Sequence, residues 1–273
     1  MATSERLTER DFRRVAQLTQ ERTGIMLNAS KHELVFSRLS RRLRMLGMDS
    51  FEHYLDRVED GDEGEAEEFI NALTTNLTAF FREAHHFEML AGPVLDELGR
   101  LPRTGPLKVW SAGCSTGEEP YSIAMTLAEA LPSPDDVRIL ATDIDSRVVA
   151  HADAGVYDAN RVTGIPSGRQ QRWLLRGKGA NEGKVKIRDE LRSMVHFRQL
   201  NLFDPWPIKG PLDVIFCRNT LIYFDKPTQK QLVERFAKVL RPEGYLVIGH
   251  SESLFRVTEE FRLLEQTVYR RAA

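Results

Sequence analysis

Two adjacent acids, Glu118 and Glu119, follow directly on a run of small residues, Ser111-Ala112-Gly113-Cys114-Ser115-Thr116-Gly117, and a further acid, Asp143, lies 26 positions beyond Gly117. Small residues let a backbone approach a ligand closely, and glycine takes positive φ without steric cost. The first amides of the helix that follows point into the same space. Such a helix N-terminus ordinarily favours an anion. Glu118 and Glu119 would repel one, so a neutral or cationic ligand fits better than a phosphate. Asp143, at the tip of the next strand, suits a ribose, because a carboxylate accepts two hydrogen bonds from a vicinal diol. With no G-x-G-x-x-G and no G-K-[ST], the turn alone is also compatible with a plain strand–helix corner.

The elements that must carry these acids are legible on both sides. Leu107–Ser111 reads as a strand, and Tyr121, Ile123, Ala124, Leu127, Ala128 and Leu131 as the apolar positions of a helix. Val137–Thr142 is a second strand ending in Asp143-Ile144-Asp145, with a helix behind it (Val148, Val149, Ala152). Met194–Leu200, Leu212–Cys217 and Tyr245–Gly249 follow, with a helix over Leu232–Leu240 and a last antiparallel edge strand over Phe261–Arg270. This alternation predicts an α/β, doubly wound sheet of parallel βα units over residues 107–273. About fifty residues separate the second and third strands, more than a crossover helix needs. Arg172–Arg176 and Gly183–Arg188 flank a Gly/Asn turn there, and predict a small antiparallel β-subdomain inserted at about 168–193.

Residues 1–75 predict an N-terminal all-helical domain. Thr8 with Asp11 and Ser30 with Glu33 read as capping boxes, Gly24 and Gly47 as helix ends, and Ser50 as the opening of a third helix. The acidic stretch Asp60–Glu65 reads as a loop or the entry to a fourth helix with Phe69, Ile70 and Leu73. Residues 76–106 read as a linker with a helix that the preceding Thr/Asn cluster opens and that carries Phe80, Phe81, Phe87 and Leu90. It ends at Leu101-Pro102-Arg103-Thr104-Gly105-Pro106.

The 273 residues allow one large domain or two small ones, and 41% hydrophobic with 29% charged residues is a soluble globular balance. A net charge of −2 provides no global field for nucleic acid or membrane. No apolar run approaches the roughly 20 residues of a membrane span. Cys114 and Cys217 make no disulfide framework, and no C-x-x-C or His-rich spacing suggests a metal. A cytoplasmic protein without metal is expected. Charge is uneven: residues 31–44 hold Lys31, Arg38, Arg41, Arg42 and Arg44 against Glu33 alone, and residues 49–68 are strongly acidic.

S-adenosylmethionine answers the description these acids set, with adenine, ribose, an ammonium and a sulfonium. The Arg241-Pro242-Glu243-Gly244 turn into a late strand is common in methyltransferases that use it. Over almost its whole length the chain resembles the bacterial chemotaxis receptor methyltransferases of CheR type. The resemblance is densest in Thr74-Thr75-Asn76-Leu77-Thr78-Ala79-Phe80-Phe81-Arg82-Glu83-Ala84-His85-His86-Phe87 and extends to Ser115–Ala124, Thr142–Asp145, Ile215–Asn219 with Ile222-Tyr223-Phe224, and Gly249-His250-Ser251-Glu252. Gly113-Cys114 departs from the plain alanines of some members, which alters the turn without removing the site.

The resemblance implies a class I S-adenosylmethionine-dependent methyltransferase sheet and a protein-glutamate O-methyltransferase. Its substrates would be glutamates on the cytoplasmic domains of membrane chemoreceptors, its products a γ-glutamyl methyl ester and S-adenosylhomocysteine, and its role adaptation in chemotaxis. It also implies a monomer without metal, nucleic acid or membrane insertion. Carried over residue by residue, Asn76, Thr78 and Arg82 would reach the cofactor from before the sheet domain. Glu119 would take the methionine ammonium and Asp143 the ribose. Asn201 and Leu202 would flank the adenine, and Arg218 and Asn219 would line the reaction mouth. Arg82 and Tyr223 would hold the substrate carboxylate, with Glu118 capping the helix dipole.

Arg38, Arg41, Arg42 and Arg44 fall between the apolar positions Leu34, Val35, Leu39, Leu43 and Leu46. They are expected to face outward and to steer an acidic receptor helix. The run 183–188 resembles members that hold a receptor tail by strand addition. Two other readings stay open. One is a methyltransferase acting on nucleic acid or a small molecule, since Asn219–Tyr223 is faintly similar to an Asn-Pro-Pro-Tyr loop but lacks its prolines. The other is a degenerate domain that only binds receptors.

Overall fold

The computed structural model describes residues 6–102 and 105–272; Arg103 and Thr104 of the expected linker lie outside the described residues. Two compact units are defined. One runs up to Thr75 and includes Tyr223–Asp225, and the other comprises Asn76–Ile222 and the chain from Lys226 onward.

The first unit is helical: α1 Glu9–Thr23, α2 His32–Leu46, α3 Phe51–Glu59 and α4 Glu63–Leu73. Thr8 and Asp11 close the expected capping box, and Gly24 caps the C-terminus at φ 72°. Ser50 and Asp62 accept the backbone amides of His53 and Glu65 at the starts of α3 and α4. The Ser30–Glu33 box does not form, because Ala29–Lys31 winds as a 3-10 turn and Ser30 Oγ donates to Asn28 Oδ1 at 2.6 Å. The apolar faces meet in a core of Val35, Leu39, Leu43, Phe51, Tyr54, Leu55 and Phe69.

The basic face of α2 divides. Arg41 and Arg44 are exposed. Arg38 instead turns inward and donates to the carbonyls of Leu73 and Thr74, both at 2.7 Å, satisfying the carbonyl end of α4. Arg42 forms a two-pronged pair with buried Glu65 at 2.9 and 2.7 Å. The expectation that all four arginines face outward is corrected for Arg38 and Arg42: the end of α4 and Glu65 place acceptors against that side of α2.

The second unit opens with an irregular stretch to Ala84, then α5 His85–Met89, a π turn Leu90–Val94 and α6 Leu95–Arg100. Pro93 lies inside the π turn, where its missing N–H breaks the regular ladder. Phe80 and Phe81 are not helical as expected. Phe81 and Glu83 stand at φ 53° and 57°, and the Phe81 amide is taken by Ser122 Oγ at 2.9 Å.

The sheet consists of β1 Leu107–Ala112, β2 Val137–Asp143, β6 Val195–Gln199, β7 Leu212–Cys217, β8 Leu240–Ile248, β9 Phe261–Glu265 and β10 Val268–Arg271. Its order is β6-β2-β1-β7-β8-β10-β9, parallel as far as β8. Val109 of β1 pairs with Ile139 on one side and Val214 on the other. Helices on both faces explain why β1 and β7 are buried along almost their whole lengths. Packed on the sheet are α7 Glu118–Ala130, α8 Ser146–Ala154 and α11 Lys226–Val239. The expected single edge strand is a hairpin: Gln266 and Thr267 take positive φ, and β10 inserts between β8 and β9.

The inserted subdomain has three strands, order β3-β5-β4, with β3 Val156–Asp158 joining the expected ribbon of β4 Leu174–Arg176 and β5 Lys184–Ile187. Short helices α9 Ser167–Trp173 and α10 Asp189–Arg192 frame it. Among the described residues no helix is long and apolar enough to cross a membrane.

Candidate active site

Strand order reverses at β1, which has β2 on one side and β7 on the other. The crevice at the carboxyl ends of these strands is the topological switch point where ligands of open α/β sheets bind. The β1–α7 turn forms its floor. Gly113 and Gly117 stand at φ 88° and 95°, and Ser115 at 49°. A Cβ on Gly117 would lie 2.7 Å from both Ala152 Cβ and the Tyr157 hydroxyl, so glycine is required there on two counts.

Three acids converge on this turn. Asp143 accepts the Ser115 amide at 2.8 Å through one oxygen and the Asp145 amide at 3.1 Å through the other. Burial pushes its pKa up, and these amides oppose that. Glu119 accepts Ser111 Oγ at 2.7 Å and Arg218 Nη1 at 3.0 Å, one contact on each oxygen. Its burial also raises its pKa, with Arg218 favouring the charged form. Each carboxylate oxygen retains acceptor capacity, the requirement for holding a diol or an ammonium. Glu118 is not confined to capping. It is fully buried, accepts Thr116 Oγ1 at 2.6 Å, and pairs with Arg161, whose Nη2 also donates to the Thr78 carbonyl at 3.0 Å.

The segment before the sheet is tied to the same floor. Asn76 donates to Asp145 Oδ2 at 3.0 Å, and its carbonyl accepts Ser115 Oγ at 3.2 Å. Arg82 Nη1 donates to the Leu77 carbonyl at 3.0 Å, and the Arg82 carbonyl accepts Arg218 Nη2. Arg218, at the end of β7, is buried, with its guanidinium 5.6 Å from the centre of the Phe87 ring.

Asn219 has φ 56° and is held by Glu252, a buried carboxylate that accepts the amides of Asn219 at 2.9 Å, Ile222 at 3.1 Å and Gly249 at 2.6 Å. Asn201 closes its own turn, accepting the Phe203 amide at 3.0 Å, and Leu202 is buried beside it at the end of β6. Tyr223 groups with the helical unit, where its carbonyl accepts the Met26 amide at 2.9 Å. Glu83, Glu252, Arg161 and Ser111 carry parts of this architecture that sequence reasoning did not assign. Glu83 and Glu252 lie inside the two runs Thr74–Phe87 and Gly249–Glu252, so position marked them while only geometry gave them a task.

The donor set fits S-adenosylmethionine: buried carboxylates with spare acceptors for an ammonium and a ribose. The fold and crevice therefore define a class I methyltransferase. Residues 76–270 match the family model of the CheR methyltransferase SAM binding domain, and residues 10–74 that of the CheR methyltransferase all-alpha domain. The chain is 52% identical to chemotaxis protein methyltransferase 2 of Pseudomonas aeruginosa, over 96% of this chain and 93% of that protein. Against the chemotaxis protein methyltransferases of Klebsiella aerogenes and Escherichia coli the identities are 48% and 47%, covering 96% of this chain and 90% and 91% of theirs. The chain belongs to the CheR methyltransferase family, and its methyl donor is S-adenosylmethionine.

Proposed function

We propose that the protein transfers a methyl group from S-adenosylmethionine to glutamate side chains of chemoreceptors, forming γ-glutamyl methyl esters. The observation that carries this is the set Asp143, Glu119 and Arg218 at the switch point, in a chain whose relatives are chemotaxis methyltransferases. Asp143 holds the ribose, Glu119 the ammonium, and Asn76, Thr78 and Arg82 close the pocket from the preceding segment. Asn201 and Leu202 flank the adenine, and Arg218 and Asn219 line the mouth.

The bound cofactor supplies an electrophilic sulfonium methyl. A glutamate carboxylate, with a pKa of about 4.3, is already ionised at neutral pH and needs no general base. Positioning and exclusion of water are then the protein's work. Arg82 and Tyr223 orient the carboxylate. A full two-pronged arginine grip would weaken the nucleophile, so a tyrosine hydroxyl or a single arginine contact suits the task.

Exposed Arg41 and Arg44 provide the docking face for an acidic receptor helix. Tail-peptide capture belongs to an edge of the small sheet, β3 or β4, because β5, which bears the 183–188 run, is paired on both sides. The test is incubation of the protein and radiolabelled cofactor with receptor-bearing membranes. Label should enter the receptors and leave as a volatile product on treatment with base. Label that is absent from receptors, or that resists base, refutes the proposal.

A further inference from the structure

Arg218 serves two carboxylates. Its Nη1 lies 3.0 Å from Glu119 Oε2 and its Nη2 3.3 Å from Glu83 Oε2, with the guanidinium almost wholly buried and Nε without a hydrogen-bond partner. Glu83 is held from outside as well: the His250 amide donates to it at 3.0 Å, and His250 Nδ1 lies 2.7 Å from its other oxygen. Its backbone stands at φ 57°, a conformation that costs a non-glycine residue energy and that gathers at functional sites. Arg82 Nε is 3.9 Å away, but that side chain is about a third exposed and turned to the Leu77 carbonyl, so its charge is screened by solvent.

The inner set thus holds two carboxylates and one guanidinium, with the His86 and His250 rings, Nδ1 at 3.5 and 2.7 Å from Glu83, as its remaining neighbours. A buried charge without a partner is costly, and the set is completed by one further cation. With Glu83 neutral, Arg218 and Glu119 would close into a one-to-one pair, and that demand would vanish.

We infer that Glu83 is a positioning residue that draws Arg218 partly away from Glu119 and so reserves Glu119 for the cofactor's ammonium group. This rests on the assignment of the ammonium to Glu119. It makes Glu83 selective for the amino-acid end of the ligand and indifferent to the nucleoside end, a distinction that a merely structural residue does not make.

The experiment is calorimetric titration of the full chain with S-adenosylhomocysteine and with methylthioadenosine, which has the same nucleoside and no ammonium. Glu83→Gln should weaken S-adenosylhomocysteine about tenfold, the scale of one charge-assisted contact, and leave methylthioadenosine within about threefold. Glu83→Ala removes the same charge without setting an amide beside Arg218, and should do likewise. Glu83→Asp keeps the charge and should retain most of the selectivity. Equal weakening of both ligands, or none of either, in the Gln and Ala variants overturns the inference. Glu119→Gln separates the two assignments. If it abolishes selectivity while the Glu83 variants keep it, only the role of Glu83 falls. If selectivity survives in Glu119→Gln, the ammonium assignment falls, and the role of Glu83 with it.

Discussion

The Ser115 amide donates to Asp143 Oδ2 at 2.8 Å, so the carboxylate that faces the crevice also fixes the strained turn beneath it. Asp143 therefore joins the proposed task of holding ribose to that of holding Ser115 at φ 49°. Asp143→Asn keeps one oxygen for the amide and loses the charge. It should weaken S-adenosylhomocysteine and methylthioadenosine alike by about 10- to 100-fold, since a hydrogen bond to a charged group is worth about 1.5–3 kcal/mol. Calorimetry with both ligands checks this, and a loss confined to S-adenosylhomocysteine would contradict a ribose role.

Gly117 meets the opposite side of the turn. A methyl group there would press on Ala152 and on the Tyr157 hydroxyl, which donates to the Thr116 carbonyl at 2.7 Å. Positive φ adds strain of about 1–2 kcal/mol for any other residue. Gly117→Ala should lower cofactor affinity at least about tenfold. Adding Tyr157→Phe, which removes one of the two clashing atoms, should restore part of it. A Gly117→Ala protein with unchanged affinity would show that the turn can relax.

Much of this site was readable from residue types because the chemistry concentrates in short segments. Strand β7 begins and ends where its apolar run does, and Asp143 falls at a strand tip because the run before it ends there. What was not readable depends on contacts distant in sequence. Nothing local to α2 reveals that Arg38 caps the end of α4 or that Arg42 meets Glu65. Phe80 and Phe81 have helical spacing, yet Ser122, some forty residues later, takes the Phe81 amide and ends the helix pattern. Glu252 is the same case: its three amide partners come from two loops that only the sheet brings together.

Tyr223 follows Asn219 by four residues, on the segment whose amides Glu252 holds. In the proposed role its hydroxyl orients the substrate carboxylate and contributes nothing to cofactor binding. Tyr223→Phe should then lower kcat about 10- to 100-fold, as expected for a contact worth about 1.5–3 kcal/mol in the transition state, with the S-adenosylhomocysteine Kd unchanged. Steady-state kinetics with receptor membranes and calorimetry together decide it. Equal losses in turnover and affinity would sink the role.

The division of the basic face predicts two phenotypes for one helix. Arg41→Glu with Arg44→Glu should raise the KM for receptor and flatten its salt dependence, because exposed charges act by screened steering. Cofactor affinity and thermal stability should not change. Arg42→Glu should instead destabilise the helical unit by about 3–5 kcal/mol, since it leaves the buried Glu65 facing a like charge. Receptor KM, S-adenosylhomocysteine Kd and thermal melts of both variants give the contrast. An Arg42→Glu protein that melts like the parent would place the pair outside the folded core.

His86 is wholly buried beside Glu83, with Nε2 3.0 Å from Thr267 Oγ1. Burial first, and the Arg218 charge next, lower its pKa from 6.5 to about 4. Glu83 is also lowered, though burial alone would raise it: His250 and Arg218 outweigh burial and hold it at about 2 against an ordinary 4.5. Both folded groups therefore bind fewer protons than their unfolded counterparts, in different windows. As pH falls below 6.5 the unfolded state takes up a proton on His86 that the fold refuses, and stability drops until about pH 4. The Glu83 contribution is intact above 4.5 and is lost only as pH falls from there toward 2. Of these two groups only His86 acts between pH 7 and pH 5, where it alone costs about 2 kcal/mol at 1.36 kcal/mol per pKa unit. Urea unfolding of the parent protein and of His86→Gln across that range should show the variant losing about 2 kcal/mol less stability between pH 7 and pH 5. An identical slope in the variant would mean that His86 titrates in the fold as it does in water.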